Sequence, residues 1–255
     1  MPSNPKFIWY ELMTTDAPAA RAFYAAVVGW SGQDVGGGAY TTFHVGGAGG
    51  LAGMLSLSPQ ALAGGARPGW MGYVGVPDVD DYAARLTQAG GTVHQPPSDI
   101  PGIGRFCPVS DTAGGGFVLF RGSVDEGPPT GAPGEAGYVG WRELVSRDGA
   151  GAWTFYAGLF GWSETGAFDM GPMGQYRLWS SAGEADEGGM MTGAPGQAPG
   201  WRYYFRVTGL DAAASRLTSA GGKVINGPHP VPSGDYVLTA TDPQGAQFSL
   251  MSATK

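Results

Sequence analysis

Two carboxylates, Glu11 and Glu143, each stand two residues after a tryptophan, in Trp9-Tyr-Glu-Leu and Trp141-Arg-Glu-Leu. A carboxylate walled by Trp, Met and Tyr has its pKa raised by desolvation. It could hydrogen-bond a ligand's hydroxyl or amine, or move a proton as a general base. The competing reading is structural: each glutamate pairs with a nearby arginine or caps backbone amides. Which reading holds depends on the elements that position the pair.

The flanking residues also repeat. Trp9, Glu11, Asp16, Phe23 and Trp30 return as Trp141, Glu143, Asp148, Phe155 and Trp162, always 132 positions later. Before each aspartate the residues read as a strand, with Trp9, Glu11, Met13 and Thr15 on one face. After it, Ala20, Phe23, Tyr24, Val27 and Val28 form a helical stripe, repeated by Ala152, Phe155, Tyr156, Leu159 and Phe160. Thr15 or Asp16 can cap the helix, Pro18 fits its first turn, and Gly29 suits a left-handed stop. The Phe-Tyr pairs belong to the core, and Trp30 and Trp162, just past the helix ends, to packing.

A second match, shifted by 131, aligns Trp70 with Trp201, Val79 with Leu210, Leu86 with Leu217, Gly90 with Gly221 and Asp111 with Asp242. Between these landmarks lie short β-prone stretches: 40–45, 51–57, 70–76, 92–94, 103–110 and 117–121. Ser58 to Gly69 reads as a loop. The chain is an α+β protein of four β-α-β-β-β modules, two per tandem domain. Domain one is expected over 1–125 and domain two over 137–255. Residues 126–136 have linker composition.

Length and charge narrow the function. A chain of 255 residues suits two domains of this size. A net charge of −7 without a basic stretch argues against nucleic acid as a partner. No run approaches the roughly 18 apolar residues of a membrane span. The one cysteine, Cys107, excludes an internal disulfide framework and reads as a small buried hydrophobe. A cytoplasmic protein is expected. The glycine clusters Gly46-Gly47 and Gly114-Gly-Gly116 do not open helices, so they read as hairpin turns rather than phosphate loops.

These modules, with Phe-Tyr and Gly-Trp at the helix ends and the closing Asp242-Pro-Gln-Gly-Ala-Gln-Phe248, resemble the vicinal oxygen chelate superfamily. That family includes glyoxalase I, bleomycin-resistance proteins and extradiol dioxygenases; the tandem Trp-x-Glu-Leu arrangement is similar to its two-domain, glyoxalase-like branch. The resemblance implies curved incomplete barrels with the ligand on the concave side. It also implies where metal ligands would stand. The first falls at Trp9 and Trp141, the next at Met71 and Arg202, the closing carboxylate at Val118 and Ser249, and the remaining one near Met54 and Met190. None of these suits zinc, iron or nickel, which take imidazole, carboxylate or thiolate. His44, His94 and His229 do not correspond between copies and read as exposed or singly hydrogen-bonded. No metal and no cofactor is therefore expected.

What remains is an aromatic wall. Trp9, Tyr73, Trp141 and Tyr204 have the parity to line the clefts, joined by Phe120 and Met251 on the closing strands. The expected ligand is apolar or aromatic. Arg202 against Met71 makes the second cleft the place for an anionic group. The leading expectation is a metal-free small-molecule binder of the glyoxalase/bleomycin-resistance type; the alternatives are a glyoxalase-like lyase or isomerase using Glu11 or Glu143 as proton shuttle with a non-standard metal site or none, and an interaction module. The duplication suggests a monomer with an internal pseudo-dimer, or a homodimer.

Overall fold

The computed structural model describes residues 4–46, 50–123, 134–183 and 185–255. The first copy runs β1 (Lys6–Thr14), α1 (Ala17–Val28), β2 (Ser31–Val35), β3 (Tyr40–His44), β4 (Ala52–Ser56), α2 (Pro59–Ala63), β5 (Gly69–Gly75), α3 (Val79–Gln88), β6 (Thr92–Val93), β7 (Ser98–Ile100), β8 (Gly104–Ser110) and β9 (Gly116–Gly122). The second runs β10 (Val139–Ser146), α4 (Gly149–Phe160), β11 (Ser163–Asp169), β12 (Gln175–Ser180), β13 (Gly188–Thr192), β14 (Gly200–Arg206), α5 (Leu210–Ser219), β15 (Lys223–Pro230), β16 (Tyr236–Thr241) and β17 (Gln247–Ser252). Strand order is β2-β3-β4-β1-β5-β9-β8-β6 in one sheet, with β7 beside β8, and β11-β12-β13-β10-β14-β17-β16-β15 in the other. Among the described residues no helix is long and apolar enough to cross a membrane.

Local chemistry sets the element ends. The Asp16 carboxylate accepts from the Ala19 amide at 3.0 Å, and α1 stops at Gly29 with φ 89°. Asp148 caps α4 through the Gly151 amide at 2.9 Å, and Gly161 ends it at φ 73°. Both copies therefore use an acidic cap and a left-handed glycine, as their sequences require. The stretch from Ser58 to Gly69 is not all loop. Ser58 accepts from the Ala61 amide at 3.1 Å and Pro59 takes the first turn, so this Ser-Pro start nucleates the short α2 despite the glycines beyond it. β7 is an addition that the composition between Pro97 and Pro101 did not announce. The expected linker falls largely on 124–133, and the Gly46–Gly50 turn on 47–49, outside the described residues.

Contacts divide the chain into two compact units that do not follow the repeat. One comprises Met1–Ile8, Met71–Gly127 and Trp141–Arg202; the other Trp9–Trp70, Pro128–Gly140 and Tyr203–Lys255. The sequence copies, 1–125 and 137–255, and the compact units are thus different divisions. The chain crosses from unit to unit inside β1, β5, β10 and β14.

Each unit has one aromatic core with a polar lock inside it. In the second unit the Trp70 indole donates to the Tyr24 hydroxyl at 2.8 Å, which donates to Asp242 at 3.2 Å. Asp242 also accepts from the Gln244 and Ala246 amides at 3.0 and 2.8 Å. Phe23, Phe205 and Phe248 pack around this group. In the first unit Trp201 donates to Tyr156 at 2.9 Å, Tyr156 to Asp111 at 3.1 Å, and Asp111 accepts from Ala113 and Gly115. Arg85 caps the last turn of α4 at the Leu159 carbonyl, and its repeat mate Arg216 caps α1 at Ala26 and Val27. Trp30 and Trp162 are buried packing residues whose indoles donate to the Gly137 and Pro5 carbonyls.

Burial raises the Asp242 pKa above its ordinary 3.8 and, with the Asp242 charge, raises that of Tyr24 well above 10.0. The tyrosine therefore keeps its proton and donates. Replacing Tyr24 by Phe removes a hydrogen bond to a buried carboxylate and is expected to cost about 1.5–3 kcal/mol in urea unfolding. Because the folded state holds the Asp242 proton more tightly than the unfolded chain does, its stability contribution is present below 3.8 and is lost as pH rises through the raised value. Stability measured against Asp242→Asn should therefore fall across that window.

Candidate functional site

In the second unit, β1 and β4 run parallel with Glu11 opposite Gly53 and Leu12 opposite Met54. β3 and β4 run antiparallel with Thr42 opposite Gly53 and Tyr40 opposite Leu55. Trp9, Glu11, Gly53 and Tyr40 thus share one face, and Leu12, Met54 and Phe43 share the other. On the first face the Trp9 indole donates to the Tyr40 hydroxyl at 3.2 Å, and Tyr40 donates to a Glu11 carboxylate oxygen at 2.7 Å. Glu11 is buried; Trp9 and Tyr40 are half-buried. Burial, then the Glu11 charge and the hydrogen bond to it, hold the Tyr40 phenol far above its ordinary value of 10.0. Tyr40 is a fixed donor and Glu11 its acceptor.

The first unit builds the same group from β10, β12 and β13. Glu143 lies opposite Gly189 and Leu144 opposite Met190. Trp141 donates to Tyr176 at 2.8 Å and Tyr176 to Glu143 at 3.2 Å. The Arg202 guanidinium of β14 adds an ion pair, 3.6 Å from the other Glu143 oxygen. The glycines make the arrangement possible: a Cβ on Gly53 would run into the Tyr40 hydroxyl, and one on Gly189 into the Tyr176 ring.

Tyr40 and Tyr176 were absent from the expected site. The available signal was the 136-residue shift that aligns Tyr40 with Tyr176, Gly53 with Gly189 and Met54 with Met190. Met54 and Met190, in contrast, were expected on the ligand face and do not share it. Paired with Leu12 and Leu144, both are buried on the opposite face, and Gly53 and Gly189 take the place beside the glutamates.

The remaining expected residues also find places. Tyr73 lies opposite Val118 and Gly75 opposite Phe120, with the Tyr73 and Phe120 rings 5.8 Å apart. Half-buried Met71 approaches Gly116, the residue with which β9 begins. Tyr204 lies opposite Ser249 and Arg206 opposite Met251. Ser249 is fully buried and 3.1 Å from the Thr239 hydroxyl. A separate groove of about 690 Å³ lies between α3 and α4, lined by Arg85, Gln88, Thr154 and Phe155 among others. It holds none of the expected site residues.

Among the described residues no three His, Cys, Asp or Glu side chains gather as a metal site would require. His44 meets the Thr42 hydroxyl at 2.8 Å, His94 that of Ser110 at 2.9 Å, and His229 the Asn226 amide oxygen at 2.9 Å. Cys107 is buried, donates to the Gln95 carbonyl, and has its pKa raised by burial. Trp9, Met71 and Val118, or Trp141, Arg202 and Ser249, are not a donor set for zinc, iron, nickel or manganese.

The model of the Glyoxalase/Bleomycin resistance protein/Dioxygenase superfamily matches residues 6–118 and again 138–250. The chain belongs to that superfamily. A relative in Mycobacterium tuberculosis, CFP32, which carries a provisional glyoxylase name, is 32% identical over 95% of this chain and 93% of its own. The anthracycline biosynthesis protein DnrV of Streptomyces peucetius is 33% identical over 95% of this chain and 91% of its own. The fold is shared with the Mn(II)-bound glyoxalase of Novosphingobium aromaticivorans, with a TM-score of 0.67, 17% identity, and 99% and 83% of the two chains covered. The residues at the positions where the resemblance puts the superfamily's metal ligands do not fit such an ion.

If the glycines exist to admit the tyrosines, Gly53→Ala should push Tyr40 off Glu11 and destabilise the protein by about 1–3 kcal/mol. In a Tyr40→Ala background the same change should cost little. A double-mutant cycle in urea measures that coupling.

Proposed function

We propose that the chain binds an apolar or aromatic small molecule on the faces carrying the Trp-Tyr-Glu groups, without a transition-metal ion. The observation that supports this most directly is that both copies form the same chain of hydrogen bonds, Trp to Tyr to Glu. The indole stands in each where the resemblance to the superfamily puts a first metal ligand. A half-buried indole offers a flat apolar wall, and a carboxylate held by a tyrosine offers acceptor oxygens to a ligand's hydroxyl or ammonium group. Two relatives are named as anthracycline biosynthesis proteins. Anthracyclines are planar polycyclic aromatics bearing hydroxyls, which makes a planar hydroxylated aromatic the ligand class to offer first.

The partners of the two glutamates favour an orienting role over proton transfer. Each carboxylate accepts a tyrosine hydroxyl, and Glu143 also faces an arginine, so both are held in a fixed orientation as hydrogen-bond acceptors. Two measurements test this reading. Mass spectrometry of the intact protein after exposure to Zn, Ni, Fe and Mn should find well below one metal per chain; occupancy near one would overturn the metal-free reading. Titration with a hydroxyanthraquinone should quench tryptophan fluorescence, with affinity reduced about tenfold or more in a Trp9→Ala, Trp141→Ala double variant. Glu11→Gln with Glu143→Gln should weaken binding by less than that. Complete loss of a measured turnover in the glutamine variants, with binding intact, would instead establish the proton-shuttle reading.

A further inference from the structure

Two arginines on one face of β14 are nearly equally buried and are satisfied very differently. Arg206 has 18% of its side chain exposed and forms a two-point pair with Asp235, NH1 to Oδ1 and NH2 to Oδ2, each at 3.1 Å. Arg202, four residues earlier and with 20% exposed, has only the Glu143 oxygen 3.6 Å from its NH1, beyond hydrogen-bond length. Among the described residues its guanidinium makes no hydrogen bond. A guanidinium carries five N–H donors in a planar fork; none of the Arg202 nitrogens is a fully buried unpaired atom, so its donors stay open to solvent and to a ligand.

The surroundings hold Arg202 without consuming it. Glu143 is engaged by Tyr176 at 3.2 Å, and Tyr176 by Trp141 at 2.8 Å. The carboxylate therefore anchors one end of the fork by charge, while the remaining donors keep the geometry that matches a carboxylate's two oxygens. The matching residue in the other copy is Met71, which cannot bind an anion.

We propose that Arg202 is the anion-recognising residue of the first unit's site, and that its ligand is an aromatic carboxylic acid with its carboxylate on the guanidinium and its ring against Trp141. This rests on reading the Trp141-Tyr176-Glu143 group as a small-molecule site. The anion preference is assigned to the first unit's site alone, where Arg202 faces Glu143.

Isothermal titration with 2-naphthoate and its uncharged isostere 2-naphthamide separates the two claims. Wild-type protein should bind the acid about tenfold or more tightly than the amide. Arg202→Met should abolish that preference while leaving amide binding within about twofold, and Arg202→Lys should restore part of it. Equal affinity for acid and amide in wild-type protein would overturn the assignment of Arg202 even if the variants fail to fold. Retention of the preference in a folded Arg202→Met variant, checked by its unfolding midpoint, would overturn it as well. Binding of neither probe to wild-type protein would remove the small-molecule reading along with it. Amide binding without acid preference would remove only the role of Arg202.

Discussion

A buried tyrosine donating to a buried aspartate is the constraint on which each compact unit depends. Tyr24 comes from the first copy and its acceptor Asp242 from the second; Tyr156 comes from the second and Asp111 from the first. Each aspartate already closes its own turn by accepting two backbone amides, and the tyrosine supplies the donor that the buried second oxygen requires. A copy on its own would leave that oxygen without its partner, at the desolvation cost of a charged group. This explains why the units defined by contact draw on both sequence copies. Aromatic rings pack around each lock, and in that low-dielectric surrounding the hydrogen bonds are electrostatically stronger than in water.

The same duplication that doubles the lock doubles the Trp-Tyr-Glu group, and the two doubled features have diverged to different degrees. The locks are matched residue for residue, because a buried charge tolerates few substitutions. The faces bearing Glu11 and Glu143 keep their tryptophan, tyrosine, glutamate and glycine, while the repeat positions Met71 and Arg202 differ in sequence. Stability explains the first kind of likeness. The second kind lies on surfaces where a ligand would decide what is kept and what is changed.

Much of the fold was legible locally. The aspartate caps, the left-handed glycines and the stripes of α1 and α4 each involve residues within one helix, so spacing alone revealed them. The short α2 was masked by flanking glycines and prolines. Of the site, Trp9, Glu11, Trp141 and Glu143 were legible from period-two alternation. Tyr40 and Tyr176 were not, since they sit on another strand about 30 residues away, and neither were the faces of Met54 and Met190. A one-residue difference in strand register sends a side chain to the opposite face, and register is a property of the pair.

The amino-acid sequence by itself determined the duplication, the module plan, the ends of α1 and α4 and the paired Trp-x-Glu, because these follow from residue type and short-range spacing. Only the tertiary structure decided that each glutamate is claimed by a tyrosine, that glycine rather than methionine lies beside it, that Arg202 faces Glu143, and that each aspartate finds its tyrosine in the other copy. Those outcomes depend on which strands pair and in what register. The free energy that selects them is shared among many distant contacts, and no local stretch of sequence carries it.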